Sequence, residues 1–126
     1  MRVLIDTMIF IWALHSPERL SRKAMAALQA LETVREMSSI SLSEIAIKQA
    51  RGKLDLSKAD VSLGITDLQL RILPYTASHA YYLFGLPSHH PDPFDRQIIA
   101  QALTEAIPVV TSDGTFKRYK GLKVIW

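Results

Sequence analysis

Val3-Leu4-Ile5 is a continuous apolar run closed by Asp6, the pattern of a strand buried on both faces of a parallel sheet. Met1 to Leu14 is therefore expected to form a strand and then a helix. Ser21 to about Val34 reads as a second helix, with Ser21 as N-cap and Ala24, Leu28 and Leu31 on its apolar side. A short strand is expected at Ser38 to Ile40. Ser41-Leu42-Ser43-Glu44 then has the capping-box form, and Leu42, Ile45, Ala46 and Gln49-Ala50 keep one inward face until Gly52.

Leu54 to Ser57 reads as a loop, Asp60 to Leu70 as a helix, and Arg71-Ile72-Leu73 as a weaker third strand ended by Pro74. Thr76 to Gly85 is helical by capping and composition. His89-His90-Pro91-Asp92-Pro93 is a turn-rich loop, and Asp92 as N-cap with Pro93 at the first helical position starts a helix running to about Ala106. Pro108-Val109-Val110 and Val124-Ile125 supply the remaining strands. Strands and helices alternate without a repeat or a linker, which predicts one α/β domain over residues 1–126, layered on a mostly parallel sheet of four to five strands with right-handed crossovers.

The length of 126 residues supports one hydrophobic core, and 48% hydrophobic against 21% charged residues excludes a disordered chain. There is no cysteine, so disulfides, thiolate metal cages and cysteine nucleophiles are all excluded, and a reducing cytoplasm is the expected location. The opening apolar run is broken by Asp6 and lacks a small-residue cleavage site, so it is read as strand and helix rather than as a leader. No apolar stretch approaches the roughly 20 residues of a membrane span. A net charge of +3 is compatible with a polyanionic partner without requiring one.

Ligands of open parallel sheets bind beyond the carboxyl ends of the strands. Four acids fall there: Asp6 ends the first strand, Glu44 lies in the first helical turn after the second, Asp95 opens the helix before the fourth, and Asp113 follows the fourth. Asp95 is in register with Ile99 and Ala102, which turns it toward the sheet. Carboxylates held together raise one another's pKa, a cost that divalent cations between them would offset. Oxygen donors without cysteine or a well-placed histidine favour Mg²⁺ or Mn²⁺ over Zn²⁺. Such a cluster can activate water for in-line attack on a phosphodiester, so hydrolysis of nucleic acid is the chemistry expected.

Each acid also has a structural explanation. Glu44 can be a capping-box acid or the partner of Lys48 one turn on. Asp95 can simply complement its helix dipole, and Asp113 can be a turn residue before Gly114. Asp6 is the hardest to explain away, because an acid closing a buried strand is costly outside a cleft. Asp92 is read as a structural cap close to the site.

His90-Pro91-Asp92-Pro93-Phe94-Asp95-Arg96-Gln97-Ile98-Ile99-Ala100-Gln101-Ala102 resembles a signature of one subgroup of PIN-domain proteins, and the whole chain is similar to the VapC-type toxins of bacterial toxin-antitoxin pairs. Val3 to Thr7, Ser41 to Lys48 and Val109 to Asp113 resemble the other three motifs, in the same order. The resemblance implies a three-layer α/β/α fold, dependence on Mg²⁺ or Mn²⁺, endoribonuclease activity, homodimerisation, and inhibition by a cognate antitoxin whose tail occupies the active groove. By position it implies Asp6, Glu44, Asp95 and Asp113 as catalytic and metal-binding acids, with a supporting hydroxyl from Thr111 or Ser112 and Thr7 beside the first acid. Met8 departs from the family, which often has a small or polar residue there.

Adjacent His89 and His90 lack a further nitrogen or sulfur ligand at usable spacing, and are read as loop residues near the site rather than zinc ligands. Lys48, Arg51, Lys53, Arg96, Lys117, Arg118 and Lys120 are candidate phosphate contacts or a solvated surface. Phe10, Trp12 and Leu14, with Tyr81, Tyr82 and Phe84, are read as core, with a dimer or antitoxin interface, or stacking platforms for RNA bases, as alternatives. A phosphoacceptor receiver would need an acid where Pro74-Tyr75 stands, and an aspartyl phosphatase a second acid where Met8 stands. A PIN-fold binding module without catalysis, or a housekeeping RNA-processing nuclease, are the remaining readings.

Overall fold

A computed structural model describes residues 1–126. Five strands form one sheet in the order β3-β2-β1-β4-β5, with every pairing parallel: β1 (Arg2–Ile5), β2 (Val34–Ser38), β3 (Arg71–Leu73), β4 (Val109–Val110) and β5 (Val124–Ile125). Helices α1 (Thr7–His15) and α2 (Arg22–Gln29) join β1 to β2, α3 (Ser39–Ala50) and α4 (Lys58–Asp67) join β2 to β3, and α5 (Ala77–Tyr82) and α6 (Pro93–Glu105) join β3 to β4. No helix is long and apolar enough to cross a membrane.

Alternate residues of β1 feed opposite faces. Val3 and Ile5 pack with Ile9, Phe10, Leu28, Met37 and Ile45, whereas Leu4 packs with Ile98, Ile99, Ala102 and Phe116. These two cores make three layers, α/β/α, as the resemblance implies. The chain builds β2 and β3 on one side of β1, then crosses to build β4 on the other. The point between β1 and β4 is thus the topological switch, and the residues just after those strands open into its crevice.

The segment between α2 and α3 departs most from expectation. The helix expected to reach Val34 ends at Gln29, Leu31 is 95% exposed, and the strand expected at Ser38 to Ile40 lies at Val34–Ser38. Arg35 and Glu36 hid it, since two adjacent charges do not read as a buried strand. Both are buried and paired: the Arg35 guanidinium donates to the carbonyls of Ala30 and Leu68 and to Gln69, and Glu36 takes a bond of 2.8 Å from Arg2. Helix α3 consequently starts at Ser39, capped by the Ser38 hydroxyl on the Ile40 amide, and Ser41 and Glu44 are not a capping box. Glu44 lies in the second turn rather than the first. The face expected to be inward is only partly so, because Leu42, Ile45, Ala46, Gln49 and Ala50 line an open groove of about 470 Å³ against α4.

Other boundaries moved less. A true capping box at Ser57 and Asp60 starts α4 at Lys58, and α4 ends at Asp67 instead of Leu70. Thr76 to Gly85 divides into α5 and a 3₁₀ turn at Leu83–Gly85. Asp92 caps α6 as expected, accepting from the amides of Phe94 and Asp95, with Pro93 at the first helical position. Phe10 is core, and Trp12 and Leu14 pack against it, while Tyr81, Tyr82 and Phe84 are exposed.

Glu36 is fully shielded and depends on Arg2, whose side chain is 38% exposed and also meets Glu105 at 3.2 Å. Arg2→Met should cost about 2 kcal/mol, below the full penalty for stranding a buried charge because Arg2 is partly solvated. Chemical denaturation should show that loss, and adding Glu36→Gln should recover much of it.

Candidate active site

Asp6 leaves the end of β1 with extended backbone and caps α1, its Oδ1 accepting from the Ile9 amide at 2.8 Å. Its Oδ2 accepts from the Thr111 hydroxyl, just beyond β4. The same Thr111 oxygen accepts the Asp113 amide at 3.1 Å. One hydroxyl therefore ties the two strand ends together across the switch point. Thr7, the next residue, donates to Glu44 Oε1 at 2.7 Å and stands 2.9 Å from Ser41 Oγ. Lys48 Nζ, one turn along α3, holds Glu44 Oε2 at 2.6 Å.

Asp113 caps the 3₁₀ turn Gly114–Arg118, accepting from the Thr115 amide at 2.9 Å. Its other oxygen lies 2.8 Å from His90 Nε2, which is also 3.2 Å from Asp95 Oδ2. The first turn of α6 thus aims Asp95 at the crevice. The four acids named from the sequence come from four separate segments at one end of the sheet: oxygens of Asp95 and Asp113 lie with His90 within 4.8 Å of one another, and Asp6 and Glu44 stand outside that group but near enough to repel it.

Their electrostatics record that proximity. Burial raises Asp6 to about 6, against bonds from Thr111 and Ile9 that lower it, with repulsion from Glu44 and Asp113 adding to the rise. Burial raises Asp95 to about 7, with Asp92, Glu44 and Asp6 pushing the same way and His90 opposing. For Asp113 burial is the largest influence, but the bonds from His90 and Thr115 together outweigh it and hold the carboxyl below its ordinary value. Lys48 is raised by its bond to Glu44. Two carboxyls raised chiefly by burial and further by neighbouring acids, among oxygen donors from four segments, fit a divalent cation.

His90, expected only as a loop residue near the site, is buried and touches two of the four acids. The signal was there: His90 opens the same signature that contains Asp92 and Asp95. His89 instead packs edge-on against Tyr119, its ring centroid 5.0 Å away. Of the hydroxyls beside the last acid, Thr111 enters the cluster and Ser112 is exposed. Arg96, a candidate for phosphate, spends its guanidinium on the carbonyls of Leu86, Pro87 and His90. Lys48 is occupied by Glu44, whereas Arg51, Lys53, Lys117, Arg118 and Lys120 are exposed.

A family model described as the PIN domain matches residues 3–122. Ribonuclease VapC22 from Mycobacterium tuberculosis is 33% identical over 122 residues, which is 94% of this chain and 92% of that protein. VapBC2 from Rickettsia felis, solved bound to a DNA fragment from its promoter, superposes with a TM-score of 0.76 at 20% identity, covering 98% of this chain and 97% of that one. DNA-bound VapBC from Salmonella typhimurium gives 0.65 at 18% identity, over 98% and 96%. At those identities the structural likeness speaks to the fold alone.

Asp6 and Asp95 bind protons more tightly folded than unfolded, so the folded state carries more protons between about pH 4 and 7. Without added metal, stability should therefore fall as pH rises through that window. Asp95→Asn, which removes one charge facing Asp6, Glu44, Asp92 and His90, should flatten the fall and raise the melting temperature at pH 8 by about 5 °C. Melting curves from pH 4.5 to 8.5 measure both effects.

Proposed function

The chain belongs to the PIN-domain family, and from that premise we propose that it is a metal-dependent endoribonuclease acting as the toxin of a toxin-antitoxin pair in the cytoplasm. The observation that carries the reading is the gathering of Asp6, Glu44, Asp95 and Asp113 at the switch point, with Asp6 raised to about 6 and Asp95 to about 7 by burial and mutual repulsion. Acids assembled at that cost suit a site that binds cations and phosphate.

Asp6, Asp95 and Asp113 are the acids we assign to hold Mg²⁺ or Mn²⁺. Bound there, the metal would polarise water and offset charge on the RNA phosphodiester. Each protein group has a distinct task. Thr111 and the Ile9 amide fix both oxygens of Asp6, and the Thr115 amide fixes one of Asp113. Thr7 and Lys48 hold Glu44 at its two oxygens, so that its carboxylate can complete the cluster or orient a water for in-line attack. Arg51 and Lys117 remain free to meet RNA phosphates.

The toxin reading draws on the relatives. VapC22 is named a ribonuclease, and the VapBC structures are those of toxin-antitoxin systems. The apolar groove between α3 and α4, which Lys58 also lines, suits an antitoxin segment, and the exposed Tyr81, Tyr82 and Phe84 suit a homodimer contact.

Purified protein free of antitoxin should cleave RNA only with Mg²⁺ or Mn²⁺. Asp6→Asn or Asp95→Asn should reduce cleavage at least 100-fold without unfolding the chain; full cleavage by wild type in excess EDTA would reject the metal mechanism. Expression alone should arrest growth of a bacterial host, and co-expression of an adjacent antitoxin gene should restore it. Unaffected growth with active enzyme would remove the toxin role and leave the nuclease.

A further inference from the structure

His90 offers one nitrogen to a cluster of carboxylates, an arrangement that resembles a mixed histidine-carboxylate metal site: Nε2 and oxygens of Asp95 and Asp113 lie within 4.8 Å of one another. The other ring nitrogen decides against that reading. Nδ1 accepts the backbone amide of Asp92 at 3.1 Å. An amide can only donate, so Nδ1 carries the lone pair and the ring proton resides on Nε2. An Nε2 bearing hydrogen cannot ligate a metal; it donates to Asp113 at 2.8 Å and faces Asp95 at 3.2 Å.

The surroundings make this orientation rigid. The His90 amide donates to the Tyr119 hydroxyl at 2.8 Å, its ring meets Phe116 edge-on with centroids 5.6 Å apart, and Arg96 reaches its carbonyl. Tyr119 and Phe116 are themselves buried. Turning the ring over would break both the bond from the Asp92 amide to Nδ1 and the bond from Nε2 to Asp113.

Resting on the metal-dependent reading of the site, we propose that His90 is a positioning residue whose Nε2–H holds Asp113 beside Asp95, in place for a divalent cation, while remaining outside the metal's coordination. The imidazole orients ligands and supplies none. Removing the donor should therefore weaken metal binding by about 10- to 100-fold, the range seen when such supporting partners are lost, and leave turnover at saturating metal much less affected.

Three measurements test this. First, nitrogen-15 NMR of the His90 ring should report the Nε2–H tautomer both without metal and in saturating Mg²⁺; a change to Nδ1–H on adding Mg²⁺ would make His90 a ligand and overturn the proposal. Second, the Mg²⁺ concentration for half-maximal rise in melting temperature should increase at least tenfold in His90→Phe, which keeps a ring against Phe116 but has no donor. It should stay within about threefold of wild type in His90→Gln, whose amide can donate from a similar position. Equal losses in the two variants, or no loss in His90→Phe, would refute a donor role. Third, RNA cleavage should show the same split, with half-activating Mg²⁺ raised in His90→Phe and the plateau rate within about threefold. A wild type that neither binds Mg²⁺ nor cleaves would reject the nuclease reading and this proposal together, whereas a metal-responsive wild type with an unaffected His90→Phe rejects this proposal alone. Should His90→Phe fail to fold, the wild-type tautomer and the Gln variant still decide it.

Discussion

Like charges withdrawn from water repel one another, and this protein gathers several of them where its chain reverses direction across the sheet. Desolvation and repulsion lift Asp6 and Asp95 well above ordinary carboxylates. The surrounding architecture is arranged to tolerate that. Helix α1 begins on Asp6, a 3₁₀ turn begins on Asp113, and Thr111 joins the two, so backbone amides and a hydroxyl neutralise in part what the fold has concentrated. Glu44 has a hydroxyl from Thr7 and, in addition, a lysine from its own helix. The amide and hydroxyl bonds are short-range and directional, and they fix where each oxygen points as well as easing its charge.

The site was more legible in the sequence than the path of the chain leading to it. Asp6 could be placed because an acid closing Val3-Leu4-Ile5 has few structural excuses, and Asp95 because the capping signal at Asp92-Pro93 set the phase of α6. Those are local rules, and tertiary packing left them intact. The strand at Val34–Ser38 failed because its burial is secured by ion pairs and carbonyl contacts from distant segments, which no window of sequence contains. That error propagated: with β2 displaced, the serine at position 41 was given the role that Ser38 fills.

His90 and Arg96 illustrate a second limit. Both residues sit in a motif that was recognised, yet residue type alone pointed away from their placement. Two adjacent histidines without a further nitrogen or sulfur ligand read as loop residues near the site, and an arginine beside an acidic cluster reads as a phosphate contact. In the folded protein the arginine binds the loop 86–90 through three carbonyls, and the loop presents the imidazole. A basic side chain close to a nuclease-like site can be scaffolding for the acids rather than a contact for substrate, and only its hydrogen-bond partners tell the two apart.

Arg35 and Glu36 point to opposite faces of β2, each buried against its own counterpart: backbone carbonyls and Gln69 for one, Arg2 for the other. Sliding that strand by a single residue against β1 would exchange the two faces and strand both charges in apolar layers. A uniformly aliphatic strand would slip at far smaller cost. The residues that concealed β2 from a hydrophobicity pattern thus act as a lock on its alignment, penalising misassembled chains more than they reward the correct one.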